Sequence, residues 1–335
     1  MLNSSIFERL TGFTITSFIL IAGIVIGSLL GHFTPTVGKW LGNRVDYTLL
    51  ALVGLLFFGV RFGALFQAAT NLRFLSIGLL ANFVIVPLIG YGIASLFLSA
   101  HPLFIVGLMI YFMSPCTDWF LSFTRLSGGN VALGMTLTPI NMIVQLLLYP
   151  IFLQLFTQNT VHVEAGTIGD TLLQWFLLPL MVAIVAHQAL RLLLKPQWFE
   201  RVLDVADQAA PWVTALLVLQ IFTGNIAVIL QHLSVFAWVL LAVFTFFVLT
   251  FLLGEGLSRL FQLHYPEHAL LAMTIAARNA PLMLAVSMVA LPEQPLIYAA
   301  LVIGMLVEFP HLIALRCLLL ITRRRLLTGK TTVTA

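Results

Sequence analysis

Charge is what this sequence has least of. Asp, Glu, Lys and Arg together supply 8% of its 335 residues, whereas 61% are hydrophobic. A soluble domain carries about 25% charge, so no water-soluble fold suits this chain. It reads as an integral membrane protein with several spans. Cysteine is also scarce. Cys116 and Cys317 lie in different apolar runs, a bond between them is not expected, and two thiols make no disulfide framework. His187, His232 and His311 lack metal-ligand spacing, and neither HExxH nor paired cysteines occur. A phosphate-binding glycine loop is missing too, and Gly254-Glu255-Gly256 is too short to stand for one. The expectation is therefore a protein that is not an enzyme, holds no cofactor or metal, and does not itself use ATP. The net charge of +4 comes from Lys and Arg scattered through short loops. Such residues set membrane topology rather than bind nucleic acid.

What the chain has in abundance is long apolar runs. Ten spans are expected, near 13–33, 47–69, 74–99, 103–126, 130–157, 167–194, 210–230, 235–262, 267–291 and 295–321. All should be α-helices, because runs this long are not barrel strands. The first is long enough for a span rather than the core of a cleaved signal. In a ten-span plot Arg9, Arg73, Arg125, Arg191, Lys195, Arg201, Arg259 and Arg323-Arg324-Arg325 share one side, while Lys39 and Arg44 fall on the other. The positive-inside rule then puts both termini in the cytoplasm of a cell-membrane protein. The longest polar connection, Lys195 to Pro211, divides the chain into five spans and five, as 1–195 and 196–335. An odd number makes the second half enter with opposite orientation, which is the arithmetic of an inverted repeat.

The fourth span of each half is interrupted. Ser114-Pro115-Cys116-Thr117-Asp118 breaks the first and Arg278-Asn279-Ala280-Pro281 the second. Proline removes a backbone donor and frees a carbonyl of the preceding turn. At membrane depth such backbone survives only where it is buried in protein or lines a watery cavity. Two broken helices at matching places point to a carrier's binding site.

The breaks also hold the polar residues. Cys116 offers a soft thiol ligand beside a frayed helix end; the plain alternative is a small buried hydrophobe. Cys317 has no such context and reads as packing. Asp118 and Arg278 place one acid and one base in the two breaks, either as a substrate or proton site or as a structural ion pair. Glu308, midway along the last span, is costly there unless paired or protonated. It suits a proton relay or a partnership with Arg61 or Arg278, and Arg61 can instead snorkel to the cytoplasmic face. Asn82, Asn141, Asn279 and Thr117 are candidates to line the site, although single amides also serve as interhelical glue.

With these residues in hand, the chain resembles the bile acid/sodium symporter superfamily, and more closely its arsenite-permease branch. The resemblance rests on Pro115-Cys116-Thr117, on Gly129-Asn130 fifteen residues after that proline, and on Asn141. In the second half it rests on Ala276-Ala277-Arg278-Asn279 and Val307-Glu308-Phe309-Pro310. It implies ten helices forming a panel and a core, the fourth and ninth unwound and crossing, and alternating access by motion of one unit against the other. It also implies that Cys116 is the thiol linked to arsenite transport and Glu308 the essential acid of the last helix. The chain departs from the sodium-coupled branch where that branch has Glu and Gln, with Thr274 and Arg278 in their places, while Asn82 matches a sodium-site Gln. Asp118 departs from the small apolar residue usual after Pro-Cys-Thr in arsenite permeases.

Two readings of function follow. The first is efflux of arsenite, a trivalent metalloid, driven by the proton gradient, with Cys116, Thr117, Asp118, Arg278 and Asn279 binding substrate. Glu308, Asp118, Asn82 and Asn141 would serve ion or proton coupling. The second is symport of a small organic anion with sodium or a proton, in which Arg278 beside helix N-termini holds a carboxylate. The partners expected are a small inorganic or organic solute and the lipid bilayer, and not nucleic acid. A homodimer and an ATPase subunit stay open, and no residue pattern supports either.

Overall fold

The structure is a computed structural model that describes residues 2–42, 44–59, 71–117, 119–157 and 177–331. Side chains are described within them except for 2–17, 39, 157 and 326–331. The helices, in chain order, are α1 (Leu2–Phe33), α2 (Pro35–Gly42), α3 (Val45–Phe58), α4 (Leu72–Leu80) and, after a π-helical turn (Ala81–Ile85), α5 (Val86–Leu98). They continue as α6 (Pro102–Phe112), α7 (Phe120–Leu126), α8 (Val131–Thr157), α9 (Leu178–Leu193) and α10 (Pro196–Leu230). The last are α11 (Leu233–Leu260), α12 (Tyr265–Ala276), α13 (Ala280–Ala290) and α14 (Pro295–Thr331). Among the described residues, five helical segments are each long and apolar enough to cross a bilayer: Leu72–Leu98, Val131–Phe156, Pro196–Leu230, Leu233–Leu260 and Pro295–Arg325. Four shorter apolar pieces, Phe18–Phe33, Pro102–Phe112, Leu178–Leu193 and Ala280–Ala290, accompany them. Parts of the expected spans 47–69 and 167–194 lie outside the described residues, as do Asp118 and Arg61.

One expectation is corrected. The polar stretch from Lys195 to Pro211 is not a loop but the start of α10, which runs unbroken from Pro196 to Leu230. The reason is its periodicity. Phe199, Leu203 and Ala206 are buried on one face while Glu200, Asp204 and Asp207 are exposed on another, the pattern of an amphipathic helix. Pro196 sits in the first turn, where its missing N–H costs nothing. The chain turns instead at Leu194 and Lys195, both extended.

Helices α1, α2, α3, α9 and α10 pack on one another, and α4 to α8 with α11 to α14 pack on one another. The two sets meet where α14 lies against α1 and α10, and α13 against α3. Loop ends gather at two faces. On one, Arg73 donates to the Phe261 carbonyl (2.6 Å), the Asn130 N–H to Pro266 (2.9 Å), and the Tyr265 hydroxyl lies on the carbonyls of Ser127 and Leu319 (2.7 and 3.0 Å). On the other, Phe104 bridges the rings of His101 and His232.

Candidate functional site

The two breaks touch. Pro115 and Arg278 face each other in an isolated antiparallel bridge. Its hydrogen bonds run from the Cys116 N–H to the Ala277 carbonyl (3.0 Å) and from the Asn279 N–H to the Ser114 carbonyl (2.8 Å). Each half-helix thus satisfies the backbone groups its partner exposes, which is how irregular backbone becomes affordable at membrane depth. α6 and α12 end at this bridge; α7 begins just beyond it, and α13 starts there with Asn279 at its cap.

Glu308 of α14 anchors the bridge from the side. It is fully buried. One carboxylate oxygen accepts the Arg278 backbone N–H (2.9 Å) and the Trp119 indole N–H (2.9 Å). The other lies 3.2 Å from the Tyr111 hydroxyl, which also lies 3.0 Å from the Gly304 carbonyl. Gly304 is required there: a Cβ would stand 2.9 Å from the Tyr111 ring. The expected partnership of Glu308 with Arg278 therefore exists, but through the backbone of Arg278.

The Arg278 side chain turns elsewhere. It is fully buried and donates to the carbonyls of Phe112 (2.7 Å) and Thr274 (2.9 Å) and, at 3.5 Å, to the Asn82 side-chain oxygen. In an unbroken helix the Arg278 N–H would bond to Thr274; here that N–H goes to Glu308 and the side chain caps Thr274 instead. Asn82, presented by the π-turn, and Asn141 of α8 each donate to the Thr274 hydroxyl (3.2 and 3.3 Å). Asn279 donates to the Thr117 hydroxyl (2.9 Å), and among the described residues its own side-chain oxygen is buried without a partner. Cys116 is fully buried between these groups in sequence, at 0% exposure.

Of the residues expected from sequence, Cys116, Thr117, Arg278 and Asn279 meet at the bridge, Glu308 bonds to it, and Asn82 and Asn141 reach it through Thr274. Cys317, read as packing, is exposed on α14. Sequence reasoning missed Tyr111, Trp119 and the hub role of Thr274. Trp119 carried a usable signal, since a buried indole N–H next to a helix break must find an acceptor.

Known proteins share this sequence pattern. Residues 47–232, more than half of the chain, match the Sodium Bile acid symporter family. A probable chloroplastic sodium/metabolite cotransporter, BASS2, from Oryza sativa subsp. japonica is 26% identical over 58% of this chain and 45% of its own length, so the chain spans less than half of that relative. The uncharacterized sodium-dependent transporter YocS of Bacillus subtilis is 24% identical over 77% of this chain and 78% of its own. The arsenical-resistance protein Acr3 of Alkaliphilus metalliredigens is 24% identical over 88% and 87%.

Proposed function

Because the chain belongs to the sodium bile acid symporter family of membrane transporters, we propose that it is a secondary active carrier that exports arsenite by alternating access, coupled to the proton gradient. The observation that carries this reading is the thiol of Cys116, buried at the point where two broken helices pair. Trivalent arsenic is soft and seeks sulfur. Attack of the Cys116 thiol on arsenous acid forms one S–As bond and releases one water; hydrolysis reverses it. A single thiol permits that reversal, whereas three converging thiols would trap the metalloid, and conduction requires release. The unpartnered Asn279 oxygen and the Thr117 hydroxyl are neutral groups suited to the remaining As–OH groups. Resemblance to Acr3 along most of both chains supports the same substrate. Asp118 follows directly in sequence and is proposed to share the site.

Proton coupling is assigned to Glu308. Its carboxylate holds the Arg278 N–H, and the neighbours of Arg278 on either side, Ala277 and Asn279, make the two bridge hydrogen bonds, one of them with the Cys116 N–H. A change in its proton state therefore acts on the backbone that presents the thiol. In the same reading 1–195 and 196–335 are inverted repeats, supported by the antiparallel pairing of the two breaks. The set containing α1, α2, α3, α9 and α10 serves as panel, the other set as core, and both termini are cytoplasmic.

The second reading, sodium- or proton-coupled symport of an organic anion, is favoured by the names of two relatives. Against it stands Arg278, whose terminal nitrogens are committed to protein oxygens. The test is arsenite tolerance and cell arsenic content in an arsenite-sensitive host expressing the protein, its Cys116→Ser variant or an empty vector. Tolerance with lowered arsenic, lost in Cys116→Ser at equal expression, is expected. Tolerance that survives the substitution removes the thiol mechanism, and no tolerance with the protein present leaves the organic-anion carrier.

A further inference from the structure

A fully buried guanidinium ordinarily has a carboxylate partner. Arg278 has none within ion-pair distance among the described residues. Its two terminal nitrogens are held by neutral oxygens, the Phe112 and Thr274 carbonyls and the Asn82 amide oxygen, while Nε is buried with no acceptor among the described residues and the Phe246 ring lies 5.7 Å from the guanidinium. Beside them stand the Thr274 hydroxyl, which receives both the Asn82 and Asn141 amides, and the Asn141 oxygen, buried without a partner among the described residues. Both carbonyls belong to the last turn of a half-helix, α6 and α12, whose C-terminal ends converge here. Each helix C-terminus carries roughly half a negative charge, so the two ends together call for about one positive charge. Ends of broken helices with unwound carbonyls and side-chain oxygens are the donor set that carriers present to a sodium ion, and hard neutral oxygens are the ligands such a cation prefers.

We propose that the Arg278 side chain occupies a monovalent-cation cage, so that this chain carries its cation covalently and does not take sodium there. The family name implies sodium, and the residues present do not fit it while the guanidinium fills the cage. The disagreement is specific to one side chain. Remove the guanidinium, and the carbonyls of Phe112 and Thr274, the Asn82 oxygen and the two half-helix ends still converge, now with nothing to neutralise them. The inference goes beyond the arsenite reading and does not depend on the substrate.

The experiment measures thermal unfolding of the purified full chain in detergent, in sodium chloride and in choline chloride at equal ionic strength. The proteins are wild type, Arg278→Ala, Arg278→Gln and Arg278→Lys. Wild type and Arg278→Lys, which keep a tethered cation, should melt alike in both salts. Arg278→Ala and Arg278→Gln should melt lower in choline and regain stability in sodium with saturation, by about 2 °C at a tenfold excess over the sodium Kd. Should the Ala variant aggregate in choline, recovery of a monodisperse peak when membranes are solubilised in sodium counts for the proposal, and aggregation in both salts counts against it. A sodium-specific rise in wild type overturns it, as does a folded Ala or Gln variant indifferent to sodium. Because no arsenite enters this assay, its failure and failure of the arsenite-tolerance test are told apart.

Discussion

Glu308 makes three contacts with two oxygens, and the division of labour decides what a substitution does. The Arg278 and Trp119 N–H groups converge on one oxygen, and the other faces the Tyr111 hydroxyl. Glu308→Gln keeps a carbonyl for the two N–H donors and presents an amide to a hydroxyl able to accept. It should fold with an unchanged melting profile yet transport without response to the proton gradient, measured as arsenite accumulation in everted vesicles with and without a protonophore. Glu308→Ala leaves buried donors unmet at roughly 1–3 kcal/mol each, so low yield and a lowered Tm are expected. If Glu308→Gln still responds to the gradient, the coupling role is lost. Trp119→Phe removes one of the two donors to that oxygen, and a loss of about 1 kcal/mol is expected in the same melting assay. At this scale the sequence was informative about Cys116, Arg278, Asn279 and Glu308, because a polar group inside an apolar run is conspicuous. Tyr111, Trp119 and Thr274 were not legible, since aromatics and threonine are ordinary in membrane helices and only the path of the chain shows which acceptor each meets. The direction of the Arg278 side chain was equally hidden. A charge at a break suggests an ion pair, and backbone carbonyls as its partners leave no mark in the sequence.

Helices α1 and α10 show what small residues do where lipid offers no hydrophobic drive for association. Gly23, Gly27 and Gly31 lie four apart on α1. Added Cβ atoms there would meet Ala215 O at 2.8 Å and Leu219 O at 2.5 Å, and Thr223 O closer still. Backbone rests on backbone along this seam, the small-xxx-small arrangement of membrane helices. Gly27→Ala forces the helices apart and should destabilise by about 1–3 kcal/mol, read as a fall in apparent Tm by fluorescence-detected size exclusion. Gly54→Ala on α3 is the control, because nothing lies within 4 Å of its added Cβ; its Tm should hold or rise. Equal effects at the two positions would remove the close-packing explanation. This seam is written in the sequence as Gly-xxx-Gly-xxx-Gly, but the sequence alone does not show which helix those glycines meet. The polar start of α10 was misread for the converse reason: acidic residues every three or four positions resemble a loop in a composition count, but their spacing is that of a helix face.

The molecule's two faces constrain how often the chain crosses between them. Positions 73, 127–130, 261–266 and 319 are tied together by hydrogen bonds on one face, while His101 and His232 share Phe104 on the other. Helices α1 and α10 advance in the same direction, since Gly23, Gly27 and Gly31 meet Ala215, Leu219 and Thr223 in that order. The proposed ten-crossing chain with both ends on one side is consistent with all of these, and in that proposal the positive-inside rule would put the side holding Arg73, Arg259 and Arg323 in the cytoplasm. Labelling decides the assignment. In a Cys317→Ser background, with Cys116 left in place because it is buried, single cysteines replace two exposed residues, Ser99 beyond α5 and Gln197 near the start of α10. A membrane-impermeant maleimide should label Ser99→Cys in intact cells and Gln197→Cys only after lysis. The reverse result would invert the protein in the membrane and place the Arg-rich face outside. Labelling of both from outside would break the parity on which the inverted repeat rests. The proposed export driven by the proton gradient needs the arrangement expected here only in one respect: the thiol must open alternately to both faces. Its complete burial between paired half-helices is what an intermediate closed to both faces would show.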